Sequence, residues 1–261
     1  MQVTEQNKGL IAPCENAQHP AMLFITQPTY LPWIGIFKAI SLSDTYVFYD
    51  DTQFEKQSWQ NRNRVLDPAR HQALMLTVPI SKHPTDTAIR DIRIADLGFY
   101  NDHVRKLRAW YRRAPFLEPT LEVLQEAYSQ RNAGLADLTS GLTIALARYL
   151  GFRTSFKWSS ESTIQGDKYT RPLAFARSLG CSVYLTQVGT KDYTNIAAFS
   201  ACGIRVVFLQ FPHPEYRQLS KPFVPYLSIV DMLMNIGPEE SAAVIEGIEL
   251  GSGEVGSGVQ G

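Results

Sequence analysis

Residues 23–64 constrain the fold more than any other stretch, because they hold two apolar runs that each end abruptly in polar and aromatic residues. The first run, residues 23–25, leads into Gln27, and the second, residues 46–49, leads into Asp50. Runs rich in β-branched and aromatic residues are typical of strands, and the amphipathic segment 35–42 between them is typical of a helix. The stretch therefore predicts one βαβ unit. Its two loops follow the carboxyl ends of strands, where open α/β sheets bind ligands.

The rest of the chain repeats this alternation of strand and helix. Strands are predicted at residues 73–80, 154–158, 182–185 and 205–209, and a short exposed strand where Ile89, Ile92 and Ile94 alternate with polar residues. Helical spacing predicts an insert of three helices at residues 99–150, helices at 171–179 and 195–201, and a short last helix capped by Ser228. The pattern predicts an α/β fold with a mostly parallel, Rossmann-like sheet and a helical insert.

Length and composition predict how the chain is divided. Its 261 residues, 44% hydrophobic and 19% charged, suit one α/β domain at residues 22–246. Residues 1–21 lack the basic start and apolar core of a signal peptide, and we predict a flexible extension, with Met22 as an alternative start. Residues 247–261 are rich in Gly and Ser and are predicted to be disordered.

Charge and cysteine content indicate which kinds of binding partner and which cellular compartment suit this chain. Lys plus Arg and Asp plus Glu both number 25, so no overall field attracts nucleic acid or an anionic membrane. No apolar run approaches the roughly 20 residues of a membrane span. Three cysteines without metal-type spacing suit a reducing cytosol. These features predict a cytoplasmic protein whose partner is a small molecule.

The loop after the first predicted strand holds the first candidate residues, Gln27, Tyr30 and Trp33. One interpretation is that the aromatic rings plug the end of the sheet. The other interpretation is that they form one wall of a ligand site, in which Gln27 hydrogen-bonds a polar group of the ligand. A polar amide directly after a buried strand favours the second interpretation. We therefore predict that all three residues bind substrate.

Two adjacent carboxylates, Asp50 and Asp51, follow the second predicted strand and precede Gln53. Such residues commonly cap a turn, but they are also candidates for a catalytic base, and their oxygens could bind Mg²⁺. Neighbouring side chains of an extended segment point to opposite faces, so at most one should face the site. We predict that Asp50 or Asp51 is catalytic and that Gln53 binds substrate, with no metal assigned and the cofactor unknown.

Residues 59–64 form the densest polar cluster of the chain. If they are extended, one face carries Trp59, Asn61 and Asn63, and the other carries Gln60, Arg62 and Arg64. One face could stack on and hydrogen-bond a sugar or base while the other neutralises phosphate. The alternative is that Arg62 or Arg64 pairs with one of the two aspartates. The mixture of amides and guanidinium groups favours substrate binding by all six residues.

A further group, His213, Tyr216 and Gln218, follows the last predicted strand. A lone histidine is more often a structural hydrogen-bonder. His213 lies between prolines beyond a strand's carboxyl end, however, and histidine suits acid–base work near neutral pH. We predict that His213 is catalytic and that Tyr216 and Gln218 bind substrate. The role of Asp231 stays open between a buried contact with arginine and a place in the site.

Three blocks, QPTYLPWIGIF, DDTQFEKQSWQNRNR and HPEYRQ-x4-F-x-P-x-LSIVDMLMN-x-G, occur in this order, and with them the sequence resembles the WbqC-like protein family of bacteria. The similarity covers about residues 22–238. The family pattern often has an aromatic residue at the position of Ile36 and glycine at the position of Gln187.

The resemblance implies a role near O-antigen and other surface-polysaccharide biosynthesis, where genes of this family are typically found. It favours a transferase that acylates or aminoacylates an amino-sugar nucleotide, with an acyl carrier protein as one candidate donor. A second hypothesis is a non-catalytic protein that binds a sugar nucleotide or scaffolds a biosynthetic complex. Turnover would separate the two hypotheses, because only the first forms a product.

The opening of the chain is also similar to that of pantothenate-synthetase-like nucleotidylyl transferases. It shares the strand, the proline-containing loop, the glycine, the helix and the acidic-ended strand followed by Thr-Gln-Phe. The His-x-Gly-His signature of those enzymes is absent, since residues 31–35 read LPWIG. The similarity is one of fold, and it suggests a third hypothesis, an ATP-dependent ligase.

Overall fold

The computed structural model describes residues 21–130, 133–210 and 212–250. Its strands are β1 (Met22–Thr26), β2 (Thr45–Phe48), β3 (Arg62–Asp67), β4 (Gln72–Thr77), β5 (Ser155–Trp158), β6 (Val183–Gln187) and β7 (Arg205–Leu209). Its helices are α1 (Ile34–Leu42), α2 (Phe99–Trp110), α3 (Leu117–Ser129), α4 (Leu135–Tyr149), α5 (Arg171–Ser178), α6 (Ile196–Ala201) and α7 (Ile229–Glu246).

Five strands form one parallel sheet in the order β5-β2-β1-β6-β7. The chain builds the sheet outward from β1 in one direction through β2 and β5, and then in the other through β6 and β7. The strand order therefore reverses between β1 and β6, as in doubly wound nucleotide-binding sheets. This arrangement confirms the predicted Rossmann-like α/β fold.

Alternate residues of each strand point to opposite faces of this sheet. Both faces carry apolar side chains, and helices cover both of them. Phe24 of β1 belongs to a large core that includes α1, α7 and the three helices α2–α4. Its neighbours Leu23 and Ile25 belong to a second core with Phe175 of α5 and Phe199 of α6. The three helices lie within the predicted insert at residues 99–150, but they share their core with the sheet.

Two predicted strands are corrected by the structure. Residues 73–80 contribute β4, which pairs antiparallel with β3 in a separate two-stranded sheet. Only residues 68–71 connect β3 to β4, and a parallel crossover needs a dozen or more residues. The predicted exposed strand around Ile89 and Ile92 is a single 3₁₀ turn, Ile89–Asp91, and both isoleucines are buried.

The last helix is longer than predicted and contains a kink. Ser228 accepts a hydrogen bond from the Val230 amide, as expected of the cap, and α7 continues to Glu246. Gly237 has φ of 77° and precedes Pro238, and a side chain at Gly237 would collide with the Phe116 ring. Glycine is required here because L-residues rarely adopt this backbone conformation.

The two predicted terminal segments fall almost entirely outside the described residues. Of the predicted extension 1–21, only Ala21 is described, and its carbonyl accepts hydrogen bonds from the amides of Ser182 and Val183. Of the predicted tail 247–261, only residues 247–250 are described. Among the helices that the structure describes, none is long and apolar enough to cross a membrane.

Candidate functional site

Two adjoining cavities lie at the carboxyl ends of β1 and β6. We call the first, about 440 Å³, the aromatic chamber, because Trp33, Trp59 and Tyr226 line it. We call the second, about 470 Å³, the polar chamber; its lining includes Lys168, Thr186, Thr190 and Tyr193. Four residues line both chambers: Thr26, Gln27, Glu55 and Gln187. Thr26 ends β1 and Gln187 ends β6, so the chambers meet where the strand order reverses, the usual ligand position in such sheets.

The aromatic chamber combines exposed ring faces with one cation. Trp59 and Tyr226 are 48% and 52% exposed, and the Trp33 and Tyr226 ring centroids are 6.1 Å apart. The guanidinium carbon of Arg64 lies 5.4 Å from the centroid of the Trp59 ring, at cation–π distance. Within the described residues, Arg64 has no carboxylate partner, and its one side-chain hydrogen bond runs from Nη2 to the Tyr226 carbonyl at 3.2 Å. The guanidinium therefore keeps free donors for an anion.

The loop at residues 27–33 is held in place by the segment that contains Asn63. The Asn63 side-chain amide donates to the carbonyls of Tyr30 and Leu31 at 3.1 and 2.8 Å, and the Tyr30 amide donates to the Trp59 carbonyl at 3.0 Å. These bonds fix Leu31 with φ of 43°, a left-handed conformation unfavourable for leucine. The aromatic chamber thus depends on a strained loop anchored by buried hydrogen bonds.

A pair of glutamine side chains forms the boundary between the chambers. Gln60 Nε2 donates to Gln27 Oε1 at 2.9 Å, and Gln60 Oε1 accepts from the Glu55 amide at 2.9 Å. Gln27 Nε2 donates to Thr52 Oγ1 at 3.2 Å. The loop that carries Glu55 is thereby fastened above the end of β1. In the described part of the chain, the Glu55 carboxylate has no hydrogen bond or ion pair, although it lines both chambers.

The polar chamber is lined by hydroxyls, amides and a lysine. Thr186 and Thr190 share a hydrogen bond of 2.9 Å between their hydroxyl oxygens. The Lys168 ammonium lies 5.1 Å from the Tyr169 ring centroid and 5.2 Å from the Tyr193 ring centroid. No carboxylate among the described residues forms an ion pair with Lys168. The chamber therefore offers both donors and acceptors beside an aromatic ring.

Asp50 and Asp51, one of which is predicted to be catalytic, line neither chamber. Asp50 is buried and accepts hydrogen bonds from Ser159 and from the amide and hydroxyl of Ser160. Asp51 forms a two-pronged ion pair with Arg171, at 2.9 and 2.6 Å. Burial alone would raise the pKa of Asp51, but the bonds from Arg171 and Ser159 outweigh it and hold the pKa below its usual range. Both carboxylates anchor the end of β5 and the start of α5.

His213 is likewise engaged by its surroundings. Its Nε2 accepts from the Tyr226 amide at 3.1 Å, so its Nδ1 donates to the Pro214 carbonyl at 2.9 Å. Burial lowers the pKa of His213, which favours this neutral form. Its ring lies nearly parallel to that of Trp33, with 6.5 Å between centroids. His213 thus supports the wall of the aromatic chamber, and the predicted catalytic role has no free ring nitrogen to use.

Four other residues that are predicted to bind substrate make hydrogen bonds within the protein. Tyr216 Oη and Gln218 Nε2 donate to Asp231 Oδ2 at 2.6 and 2.8 Å. Gln53 donates to the Thr85 carbonyl at 2.9 Å, and Asn61 donates to the Val78 carbonyl at 3.0 Å. None of these four lines either chamber.

Tyr30 and Arg62, also predicted to bind substrate, lie outside the two chambers as well. Tyr30 is fully buried, and its hydroxyl is bonded to His103 Nδ1 at 2.8 Å and to the Tyr128 hydroxyl. Arg62 bonds to the Gln57 carbonyl and also lies outside the chambers. The predicted alternation holds from Asn61 to Arg64, where the asparagines are buried and the arginines partly exposed. It fails before β3 begins, where Gln60 is buried and Trp59 half exposed.

The structure brings together six of the predicted residues on the aromatic chamber: Gln27, Trp33, Trp59, Gln60, Asn63 and Arg64. It adds Glu55, Tyr226 and Gln187, which sequence reasoning did not select. Gln187 follows the same rule as Gln27, because it ends a buried strand of the parallel sheet. Across residues 21–130, 133–210 and 212–250, no three His, Cys, Asp or Glu side chains are grouped as ligands for a metal ion.

One comparison with known proteins identifies a family for this chain. The family model described as "WbqC-like protein family" matches residues 27–243, which include most of the lining of both chambers. The chain is also 29% identical over 218 residues to the Mycobacterium tuberculosis protein named "Uncharacterized protein Rv1507c", covering 82% of this chain and 94% of that protein. No solved structure matches the chain. The family match spans well over half of the sequence, and the chain therefore belongs to the WbqC-like protein family.

Proposed function

We propose that the protein is an enzyme of surface-polysaccharide biosynthesis that binds an amino-sugar nucleotide in these chambers and transfers an acyl or aminoacyl group to it. The observation that carries the proposal is the pairing of Arg64 with the Trp59 ring in the aromatic chamber. A nucleotide presents a flat base, which stacks on aromatic rings, and phosphates, which bind guanidinium groups. The position at the strand-order reversal supports the same class of ligand.

Glu55 is the residue best placed for the chemistry. In amide formation, the substrate's amine nitrogen bonds to the acyl carbon, the bond from that carbon to the donor's leaving group breaks, and the amine loses a proton. The Glu55 carboxylate lines both chambers and has no partner among the described residues. We assign Glu55 the role of the base that accepts the proton from the amine, because His213 and Asp50 are already held in hydrogen bonds. An activated acyl thioester, free or on a carrier protein, would supply the acyl group.

A non-catalytic sugar-nucleotide binder is the second candidate. It is favoured by the fact that every residue predicted to be catalytic, His213, Asp50 and Asp51, is held in structural hydrogen bonds. The two candidates share the binding site and differ only in turnover. Tight binding without product, with any of a panel of acyl thioesters, would select the binder.

The binding site itself is tested by titration calorimetry with UDP and dTDP and with their amino sugars. We expect at least one of these nucleotides to bind, and Arg64→Ala to weaken binding about 10-fold or more, since a charge-assisted bond contributes about 1.5–3 kcal/mol. Arg112→Ala is the matched control, because Arg112 is exposed, lies outside both chambers and has no bond among the described residues. Absence of nucleotide binding, or equal losses in the two variants, would contradict the proposal.

A further inference from the structure

The two chambers share an edge, but they differ in lining and in whether their guanidinium group is free to bind an anion. Beyond the shared residues, the aromatic chamber carries Arg64 as its charged group. The polar chamber carries Lys168 and Arg171 against Asp167, and Arg171 is already paired with Asp51. With the shared Glu55, two acidic and two basic side chains line the polar chamber. Of the two guanidinium groups that line the chambers, Arg171 is paired with Asp51, whereas Arg64 has no carboxylate partner among the described residues, so phosphate is better accommodated by the aromatic chamber.

The lining of the polar chamber fits a ring that carries hydroxyl and amino groups. Thr186 and Tyr193 offer hydroxyls and Lys168 offers a donor, whereas the Thr190 hydroxyl is engaged by Gln187, Thr186 and Thr194. Asp167 and the shared Glu55 offer acceptors that suit an amine or ammonium group. A binding site for a small polar ligand typically has such a limited set of polar groups around an apolar or aromatic surface.

We propose that a nucleotide sugar lies across both chambers, with its base and phosphates in the aromatic chamber and its glycosyl ring in the polar chamber. This inference rests on the proposed function and adds the orientation of the bound ligand, that is, which chamber holds the base and which holds the sugar. Thr26, Gln27, Glu55 and Gln187 form the passage between the chambers, so the phosphate-to-sugar bond crosses the ends of β1 and β6. Lys168 and Tyr193 then contact the sugar and determine which sugar is accepted.

The test compares UDP with UDP-glucosamine, and dTDP with its amino sugar, by titration calorimetry on the full chain. We expect the wild-type protein to bind the sugar nucleotide about 10-fold more tightly than the bare nucleotide, a difference of about 1.4 kcal/mol. Lys168→Ala and Tyr193→Ala should remove that gain and leave the affinity for the bare nucleotide unchanged. Trp59→Ala should weaken both ligands equally.

Lys191→Ala is the matched control for Lys168→Ala. Lys191 is also exposed and also lies over an aromatic ring, 5.4 Å from the centroid of Phe208, but it lines neither chamber. We expect its substitution to change neither affinity. All the substituted side chains are partly or largely exposed, so we expect each variant to keep the fold. Thermal unfolding of each variant checks this.

The outcomes separate this inference from the proposed function. Equal affinities for UDP and UDP-glucosamine, with Trp59 and Arg64 still required, would overturn the placement of the sugar and keep the nucleotide site. Loss of bare-nucleotide binding in Lys168→Ala but not in Lys191→Ala would reverse the direction of the ligand and also overturn it. Absence of binding by every nucleotide would overturn both proposals together.

Discussion

Asp231→Ala is expected to lower the free energy of unfolding by about 3–5 kcal/mol, because it removes the acceptor shared by the fully buried Tyr111 and the partly buried Tyr216 and Gln218. Asp231 is fully buried in α7. It accepts from Tyr111 Oη at 2.7 Å, from Tyr216 Oη at 2.6 Å and from Gln218 Nε2 at 2.8 Å. The carboxylate thus joins α7 to the end of α2 and to the segment after β7. In thermal unfolding, the melting temperature should fall by roughly 10 °C.

Asp86→Ala is the matched control, because Asp86 is exposed and its side chain has no hydrogen bond or ion pair among the described residues. We expect that substitution to change stability by less than about 0.5 kcal/mol. Equal stability of the two variants would show that the buried network does not hold the fold.

The stability that Asp231 contributes depends on pH, and the direction of this dependence follows from the shift of its pKa. Burial raises the pKa of Asp231, and the three hydrogen bonds offset this only in part. The folded protein therefore retains the Asp231 proton to higher pH than the unfolded chain does. The stabilisation linked to that proton is fully present below the unfolded-state pKa and is lost as pH rises through the folded-state pKa. The stability gap between the wild-type protein and Asp231→Ala should accordingly be wider near pH 4 than at pH 7.

Asn63→Asp should cost about 3 kcal/mol of stability although the two side chains have the same shape. The Asn63 amide donates to the carbonyls of Tyr30 and Leu31, and its carbonyl accepts from the Arg64 amide at 2.8 Å. A carboxylate in the same place loses both donor bonds and faces two carbonyl oxygens in a buried environment. The loop at residues 27–33 should then leave its strained conformation and weaken nucleotide binding as well.

Asn101→Asp provides the comparison for this charge change. Asn101 is exposed in the first turn of α2, and its side chain makes no hydrogen bond among the described residues. A negative charge near a helix N-terminus is neutral or mildly favourable. Chemical denaturation and nucleotide titration of both variants check the prediction, and unchanged nucleotide affinity in a destabilised Asn63→Asp would contradict the link between loop and site.

The strands of the parallel sheet and the helices α2, α3 and α4 could be predicted, because the sequence patterns that indicate them are local. Apolar runs and helical spacing are contained within each element, and the polar residues after β1 marked one edge of the site. Strand pairing is not local. The strand predicted at residues 73–80 overlaps β4 at residues 73–77, but nothing within this run indicates that its partner is β3 and not the main sheet.

The roles of individual polar residues depended on partners distant in sequence. Tyr30 lies in a loop typical of a ligand wall, yet its hydroxyl is bonded to His103, 73 residues away. Asp51 pairs with Arg171, 120 residues away, and so is unavailable as a base. Glu55 cannot be selected from the sequence, because an isolated glutamate in a polar stretch forms no recognisable pattern. Its significance follows from the Gln27–Gln60 bond, which places its loop between the chambers.

Amide hydrogen exchange with and without a saturating amino-sugar nucleotide tests the central claim most directly. Exchange should become slower at residues 27–33, 55–60 and 187–193, which border the two chambers at the ends of β1 and β6. A larger groove of about 640 Å³ between α3 and α4, lined by Glu126, Asp137 and Arg148, serves as the internal comparison. Protection at that groove, or protection nowhere in the chain, would contradict the account.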